Sequence, residues 1–386
     1  MKVSQKGYDY IIAGGGCAGL SLAMMLKESK IKFDKILIVD KHNKKSNDRT
    51  WCFWSKEKKN WFDKIVFKKW KKFNFSSEKF SKSYPLEPYQ YFMIRGIDFY
   101  EYCFSELKKD SRFDFIEESI VGLESNNNHA ILITDKNQYS ATYIFNSAIR
   151  HHNKKAHHVN YVQHFKGILI ETIEAKFDAE CPTFMDFSVE QHNDCRFVYV
   201  IPYSSNKALI EYTGFSSKSI SDKEYDTELD KYIKYTLKIN DYKIIETEVG
   251  EIPMAESDFV NPYGERIINI GTAGGYSKPS TGFTFYFIQK NLKKLVSSME
   301  VNKPIKQFKR TSRFAFYDKV LLDVINEKII PTSSIFTDLF RKNKIQNLMA
   351  FLNEESSIIV DLKIMNSVPR LKFMNSALKK AITNYK

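Results

Sequence analysis

Two carboxyl groups in this chain stand among residues that should resist their ionisation. Glu211 interrupts the apolar run Ala208-Leu209-Ile210 and is followed by Tyr212-Thr213, while Asp186 sits within Phe184-Met185-Asp186-Phe187. Apolar surroundings penalise the charged form of a carboxyl group and raise its pKa, so such a group can carry a proton at neutral pH. Glu211 therefore reads as a general acid or base; the alternative is a solvent-facing residue in an alternating strand. Asp186 could keep Glu211 protonated through like-charge coupling or could shape the pocket; the alternative is a turn residue or a buried hydrogen-bond acceptor. Glu251, which precedes Ile252-Pro253-Met254, is the third candidate, and a surface acid at a strand end is its better reading.

A second kind of chemistry is written at the N-terminus. Gly14-Gly15-Gly16-Cys17-Ala18-Gly19 matches G-x-G-x-x-G. Gly14 suits a tight turn, Gly16 the close approach of a pyrophosphate, and Gly19 close packing of helix on strand. Asp40, about twenty residues on, is placed to bond a ribose hydroxyl. Arg49 either reaches the phosphates or flavin of such a cofactor or closes a loop salt bridge. Arg95, also a candidate cofactor contact, precedes a helix that Asp98 is expected to cap.

These groups need elements to position them. Tyr8 to Ala13 reads as a buried strand, Leu20, Leu22, Ala23, Met25 and Leu26 as a helix, and Lys35 to Asp40 as a second strand. That βαβ context is what a dinucleotide motif requires, and its place at the start of a long chain favours FAD over NAD. Later, the apolar strand Ile267 to Ile270 runs into a glycine-rich loop with Gly271, Thr272, Gly274, Gly275 and Gly282, and Phe283 to Leu295 reads as a helix. The expected fold class is α/β (α+β). It comprises a discontinuous FAD-binding Rossmann-like domain (1–60, 85–160 and 255–300), an antiparallel-sheet substrate lobe (160–255) and a helical C-terminal region (300–386).

Composition narrows the partners. The chain has 386 residues and a net charge of +13, with 43% hydrophobic and 15% aromatic residues, which excludes wholesale disorder. The five cysteines are widely spaced and without a C-x-x-C, which argues against a disulfide scaffold or zinc site and suits a reducing cytoplasm. No signal peptide and no apolar run of spanning length is evident, so a soluble or peripheral protein is expected. The pairs His151-His152 and His157-His158 flank Lys154-Lys155, which would repel a metal, and no metal site is expected. Phe67 to Phe73 interleaves rings and lysines; without a nucleic-acid motif, an exposed strand or a lipid-facing surface is the better reading. Ile345, Leu348, Met349 and Leu352 share one helical face and read as core. Trp51, Phe53 and Trp54 read as core, with tunnel lining as the alternative.

The segment from Gly271 resembles the second flavin-contact loop of FAD proteins related to aromatic hydroxylases, except that Gly271-Thr272 stands where those proteins have Gly-Asp. In order along the chain, Asp48 to Trp54, Phe184 to Phe187, Leu209 to Thr213, Glu248 to Met254 and Gly271 to Phe285 together resemble the bacterial lycopene β-cyclase family. Asn353-Glu354-Glu355 and Asp361 to Met365 resemble its tail. Departures are Ser188, where a basic residue is expected, and Asn146, near where related proteins often have an aspartate.

The resemblance implies an isomerisation of the linear ψ-ends of lycopene to β-ionone rings, giving γ- or β-carotene. It also implies reduced FAD that stabilises a carbocation, with NADPH as a possible reductant. Glu211 matches the glutamate that the family treats as catalytic. The partners implied are lycopene or a related acyclic carotenoid and the inner face of the cytoplasmic membrane, with no nucleic acid. The competing reading is an FAD-dependent hydroxylase or reductase acting on another isoprenoid or lipid; a third is a non-catalytic flavin- or carotenoid-binding protein.

Overall fold

The computed structural model describes residues 7–57, 60–148, 161–254, 261–308, 310, 313–328, 330–369, 373 and 376. The paired histidines at 151, 152, 157 and 158 lie outside this set. The N-terminal half runs β1 (Tyr8–Ala13), α1 (Cys17–Glu28), β2 (Ile36–Asp40), β3 (Thr50–Ser55), β4 (Lys68–Trp70), β5 (Lys72–Ser77), β6 (Phe80–Pro85), β7 (Gln90–Arg95), α2 (Gly96–Leu107), β8 (Phe113–Glu117), β9 (Ile120–Ser125), β10 (Ala130–Thr134) and β11 (Gln138–Asn146). There follow β12 (Tyr161–Glu171), β13 (Thr183–Asp186), β14 (Cys195–Pro202), β15 (Lys207–Ser216), α3 (Asp222–Lys231), β16 (Lys243–Met254) and β17 (Ile267–Asn269). The C-terminal helices are α4 (Phe285–Glu300), α5 (Arg313–Asn326), α6 (Thr332–Lys342), α7 (Ile345–Leu352) and α8 (Ile358–Met365).

Continuous apolar strands demand cover on both faces, and β1 and β2 receive it. They pair in parallel with each other; β8 flanks β2, and β11 flanks β1 and carries β17 on its other side, also in parallel. The hairpin β9–β10 extends this sheet antiparallel from β11. Helix α1 is apolar nearly all round because α2 and α4 pack with it over the sheet, burying Leu20, Leu22, Met24 and Leu26 together with Phe99, Ile288 and Leu292. This is the expected α/β, Rossmann-like arrangement.

The second sheet is mostly antiparallel, in the order β16-β12-β15-β14-β13-β5-β6, and a small third sheet joins β3, β7 and β4. Thus β5 and β6, from a stretch assigned to no lobe in the sequence, belong with the antiparallel sheet. One face of that sheet carries α3, with Tyr212, Tyr225, Leu229 and Tyr232 packed together. The other meets β3, β7 and the C-terminal helices through Trp54, Phe73, Phe184, Phe336, Leu348 and Met349. The face Ile345, Leu348, Met349 and Leu352 of α7 is core, as its spacing predicts. Each such side chain contributes about 1.5–3 kcal/mol by leaving water.

The ring-and-lysine stretch is not a surface. Trp70 and Phe73 are buried, and the Trp70 indole donates to the Ala179 carbonyl at 2.9 Å. Only Phe67 keeps substantial exposure among its rings. The lysines point out of a strand whose aromatic face is core, which is how alternation disguises an amphipathic strand as an interfacial motif.

Candidate active site

The G-x-G-x-x-G loop shows a division of labour among its glycines. Gly14 adopts φ +107°, closed to most side chains. A Cβ at Gly19 would fall 1.9 Å from the Gly14 carbonyl, so the helix can cross the strand only there with glycine. A Cβ at Gly16 would meet no atom within 4 Å. Gly16 is also the N-cap of α1, with no side chain capping the helix and no acid in its first turn. The N–H groups of Cys17 and Ala18 thus open the positive end of a helix onto this cradle, which suits a pyrophosphate. Asp40 ends β2 beside it; its carboxylate accepts from the Gly15 N–H at 2.7 Å and the His42 N–H at 2.8 Å. Gly15, Asp40, His42, Lys44 and Lys108 share one open cavity of a size suited to a nucleoside.

The second glycine segment closes over the same place. Gly271, at φ +60°, lies against α1: a Cβ there would stand 2.6 Å from that of Ala18. Residues Gly271 to Gly274 form a tight helical turn that brings Thr272 into this loop and ends on Gly275 at φ +73°. Asn146 and Asn269, at the ends of β11 and β17, bond side chain to side chain at 2.8 Å under this loop. The helix expected from Phe283 starts two residues later, at Phe285, because Gly282 takes φ +69° and keeps the chain out of helical geometry. The buried Gln163 Oε1 has no hydrogen-bond partner and points at Gly282, whose missing Cβ would lie 1.8 Å from it. Two glycine loops, a bare helix N-terminus and a buried acceptor without a partner fit a flavin dinucleotide, which Gly14 to Gly19, Asp40 and Gly271 to Gly282 would hold.

Beyond that loop lies the carboxyl chemistry. Glu211 on β15 and Glu248 on β16 flank β12 from either side, and both are register partners of the same residue, Gly167. A Cβ at Gly167 would come within 3.1 Å of the Glu248 Cγ and 3.5 Å of the Glu211 Cβ. Glycine leaves the gap through which the two side chains hydrogen-bond to each other. Glu211 also accepts from Thr213 at 3.0 Å and Glu248 from Thr50 at 2.9 Å. Burial pushes Glu211 up to about 6, held down by its bonds to Glu248 and Thr213 and by the Arg49 charge. Burial pushes Glu248 well above the carboxylate range, and the charge and hydrogen bond of Glu211 push it further. The arrangement lets two carboxyls hold a proton between them above the ordinary carboxylate range, the more deeply buried Glu248 binding it more tightly.

Glu211 faces a cavity of about 110 Å³ bounded by Trp51, Cys52, Tyr91, Tyr199, Gln163 and the Gly282–Phe285 segment. Burial pushes the Tyr91 and Tyr199 hydroxyls and the Cys52 thiol upward, so all three stay neutral. Rings and a proton donor thus face the same small space, an environment that can protonate an apolar group and tolerate a cation.

Asp186 is elsewhere. It pairs with Val198, which pairs with Tyr212, whereas Glu211 pairs with Tyr199, one residue out of phase. Side chains alternate across a sheet, so Asp186 and Glu211 occupy opposite faces. Asp186 is buried under α3, accepting from the Tyr232 hydroxyl at 2.8 Å and the Ser188 N–H at 2.9 Å. The structure does not bring the two together, and Glu248 takes the coupling position expected of Asp186. Glu251 is exposed, bonded by Ser219.

Arg49 donates to the carbonyls of Asp48 and Val249 at 2.6 and 3.0 Å, which sets its charge beside Glu211 and Glu248. Among the described residues it closes no loop salt bridge. Arg95 is engaged by Asp98 at 2.6 Å and stacks on Phe67 at 4.2 Å. Asp98 therefore holds Arg95 and does not cap α2; the N-cap position is Arg95 itself. Trp51 and Phe53 pack on Phe285, whereas Trp54 packs on Phe283, its indole donating to Met349. Sequence reasoning passed over Glu248 for Glu251; the available signal was Gly167, a glycine inside an apolar strand, which marks close approach of neighbours.

The family model for the lycopene cyclase protein matches residues 9–378. A search of curated proteins finds no match. Among solved structures, the chain is similar to a geranylgeranyl bacteriochlorophyll reductase-like protein from Thermoplasma acidophilum, at a TM-score of 0.63 and 14% identity, covering 93% of this chain and 96% of that one. It is similar to a flavoprotein/dehydrogenase from Cytophaga hutchinsonii at 0.63 and 11%, covering 94% and 100%. It is also similar to the halogenase PltM at 0.56 and 13%, covering 93% and 85%. At such identities these likenesses speak for the fold alone.

Proposed function

The chain belongs to the lycopene cyclase family, and from that premise we propose that it is a lycopene β-cyclase, closing the linear ψ-ends of lycopene into β-ionone rings. The observation that carries this reading is the hydrogen-bonded carboxyl pair of Glu211 and Glu248, across Gly167, at the edge of a ring-lined cavity. Glu211 delivers the proton to C2 of the terminal C1=C2 bond, leaving a tertiary cation at C1. The C5=C6 bond attacks C1, the C1–C6 bond forms and the charge moves to C5. Loss of the C6 proton to the Glu211 carboxylate restores a double bond between C5 and C6, so atoms and electrons balance without an oxidant. The pair's proton passes from Glu248 to Glu211 before the first step, and the C6 proton returned to Glu211 restores the pair after the last. Tyr91, Tyr199 and Trp51 present ring faces to the cation. Arg49 limits how far the pair's proton affinity rises.

Reduced FAD, with NADPH as the reductant, would supply negative charge opposite the developing cation. The residues that fit it are Gly14 to Gly19, Asp40 and the Gly271–Gly282 segment. We assign the FAD unit to 1–60, 85–160 and 255–300, the substrate lobe to 160–255 and the tunnel-completing helices to 300–386. We also place the protein peripherally on the cytoplasmic face of a membrane. No helix of the described residues is long and apolar enough to cross one. The support for docking is α8, where Ile358, Ile359 and Leu362 are 60, 68 and 54% exposed along one side.

The test is expression in a lycopene-accumulating host beside Glu211→Gln. A ring-containing isomer of lycopene from the wild type alone supports the reading. A product with added oxygen or hydrogen instead identifies a redox enzyme on the same fold, and overturns it.

A further inference from the structure

Two cavities meet at one peptide bond. Gly282 lines the cavity that holds Glu211, and its neighbour Thr281 lines another, of about 310 Å³, among the C-terminal helices. That volume is at the lower end of the roughly 300–1,000 Å³ typical of ligand sites. Leu321, Ile335, Phe336, Leu339, Phe351 and Leu352 wall it. Apart from Tyr317 and Asn366, its polar groups lie at the loop end, and the charged ones are committed to each other: Lys278 and Ser280 bond Asp318 at 2.7 and 2.5 Å. A polar ligand would find little to bond along the walls, whereas a hydrocarbon would lose nothing by entering. Leu362 lines the same cavity and is 54% exposed beside Ile358 and Ile359, so its apolar wall continues to the protein surface. At the inner end Phe283 faces the Glu211 cavity and packs on Trp54 at 4.9 Å and on Phe184 at 6.3 Å.

We propose that the cavity between α5, α6, α7 and α8 holds the hydrocarbon body of the acyclic polyene. The chain enters past Leu362, and the segment Thr281–Phe283 is the threshold over which one end passes to Glu211. The proposal rests on the cyclase reading for its ligand and deepens it by assigning the second cavity a task. Thr281 and Gly282 are small where the two spaces meet, and Phe283 supplies an aromatic surface against which an extended, conjugated chain can lie.

The test uses the flavin-loaded full chain with lycopene in detergent micelles. Capture is read from the shift of the polyene absorption bands, and flavin retention from the flavin absorbance. Leu321→Trp fills the cavity from α5, far along the chain from the glycine loops. It should weaken lycopene capture by about tenfold or more while flavin is retained, whereas Leu321→Met should not. Glu211→Gln should capture lycopene like the wild type and form no ring. Should Leu321→Trp fail to fold, hydrogen exchange on the wild type decides: lycopene should slow exchange in 313–326 and 332–342. Undiminished capture by a folded Leu321→Trp, or exchange in those helices indifferent to lycopene, overturns the proposal. If Leu321→Trp blocks capture yet the wild type forms no ring, the cavity assignment stands and the cyclase reading falls.

Discussion

Glu211 and Glu248 meet across a glycine: each is the register partner of Gly167, and the absence of a side chain there lets two carboxyl groups from strands two places apart share a proton. Arg49 and two threonine hydroxyls keep the pair from becoming a simple buried acid.

Glu211→Gln should lower ring formation by about 10²–10⁴-fold, the range expected for removing a general acid–base group. Glu248→Gln should leave a slower enzyme whose activity falls at lower pH than that of the wild type, because Glu211 has lost the partner that binds the proton more tightly. In the wild type, where Glu248 holds the proton more tightly, the alkaline limb should lie higher. A pH–rate profile of both variants checks this; coincident limbs in wild type and Glu248→Gln would rule out the shared proton.

The same pair should leave a signature in stability. Both carboxyls bind protons more tightly folded than unfolded, so above the ordinary glutamate pKa the native state holds protons that the unfolded chain has released. Stability must then fall as pH rises, through about 6 for Glu211 and beyond for Glu248. The Glu211 share is about 2 kcal/mol, from roughly 1.4 kcal/mol per pKa unit. Denaturant unfolding at pH 5 and pH 8 should show Glu211→Gln losing less stability than wild type between the two.

Gly167→Ala places a methyl group 3.0 Å from the Leu209 Cδ1 and 3.1 Å from the Glu248 Cγ. Overpacking of this kind costs about 1–3 kcal/mol, and it should part the carboxyls and lower activity more than stability alone explains. Thermal unfolding and activity measured on one preparation separate the two effects.

Gly16→Val and Gly19→Ala should differ in kind. The first adds a side chain where no protein atom lies within 4 Å, so the chain should fold without flavin. The second drives a methyl group into the Gly14 carbonyl and should reduce soluble protein. Flavin absorbance per folded chain distinguishes them.

Asp318→Ala removes the anion that holds Lys278 at 2.7 Å and Arg310 at 2.8 Å in the interior. With Glu354 left to face both cations, the loss should cost about 1–3 kcal/mol and loosen the second glycine loop, read by denaturant midpoint and by flavin release.

Local chemistry made the nucleotide half legible. Gly14, Gly19 and Asp40 act within one βαβ unit, where spacing along the chain nearly determines spacing in space. Glu211 was legible for a similar reason, as an acid in an apolar strand. Its partner was not, because Glu248 reaches it only through the order β15-β12-β16, which no local pattern encodes. Asp186 misled because a register irregularity in β13 turns Phe184 and Met185 toward one core and Asp186 toward the other. Trp70 misled because alternating lysines concealed a buried ring.

The carboxyl pair has its opposite sheet face covered by α3, and its cavity meets the apolar one at the Thr281–Gly282 step. On the cyclase reading, such a site would make a symmetric hydrocarbon into two unequal halves, one being worked on and one waiting. The waiting half would reach the acid only after the molecule withdrew and returned turned end for end. A one-ringed compound would then be a released species, free to partition between another visit and escape, and the ratio of one-ringed to two-ringed product would become a question of residence time outside the site.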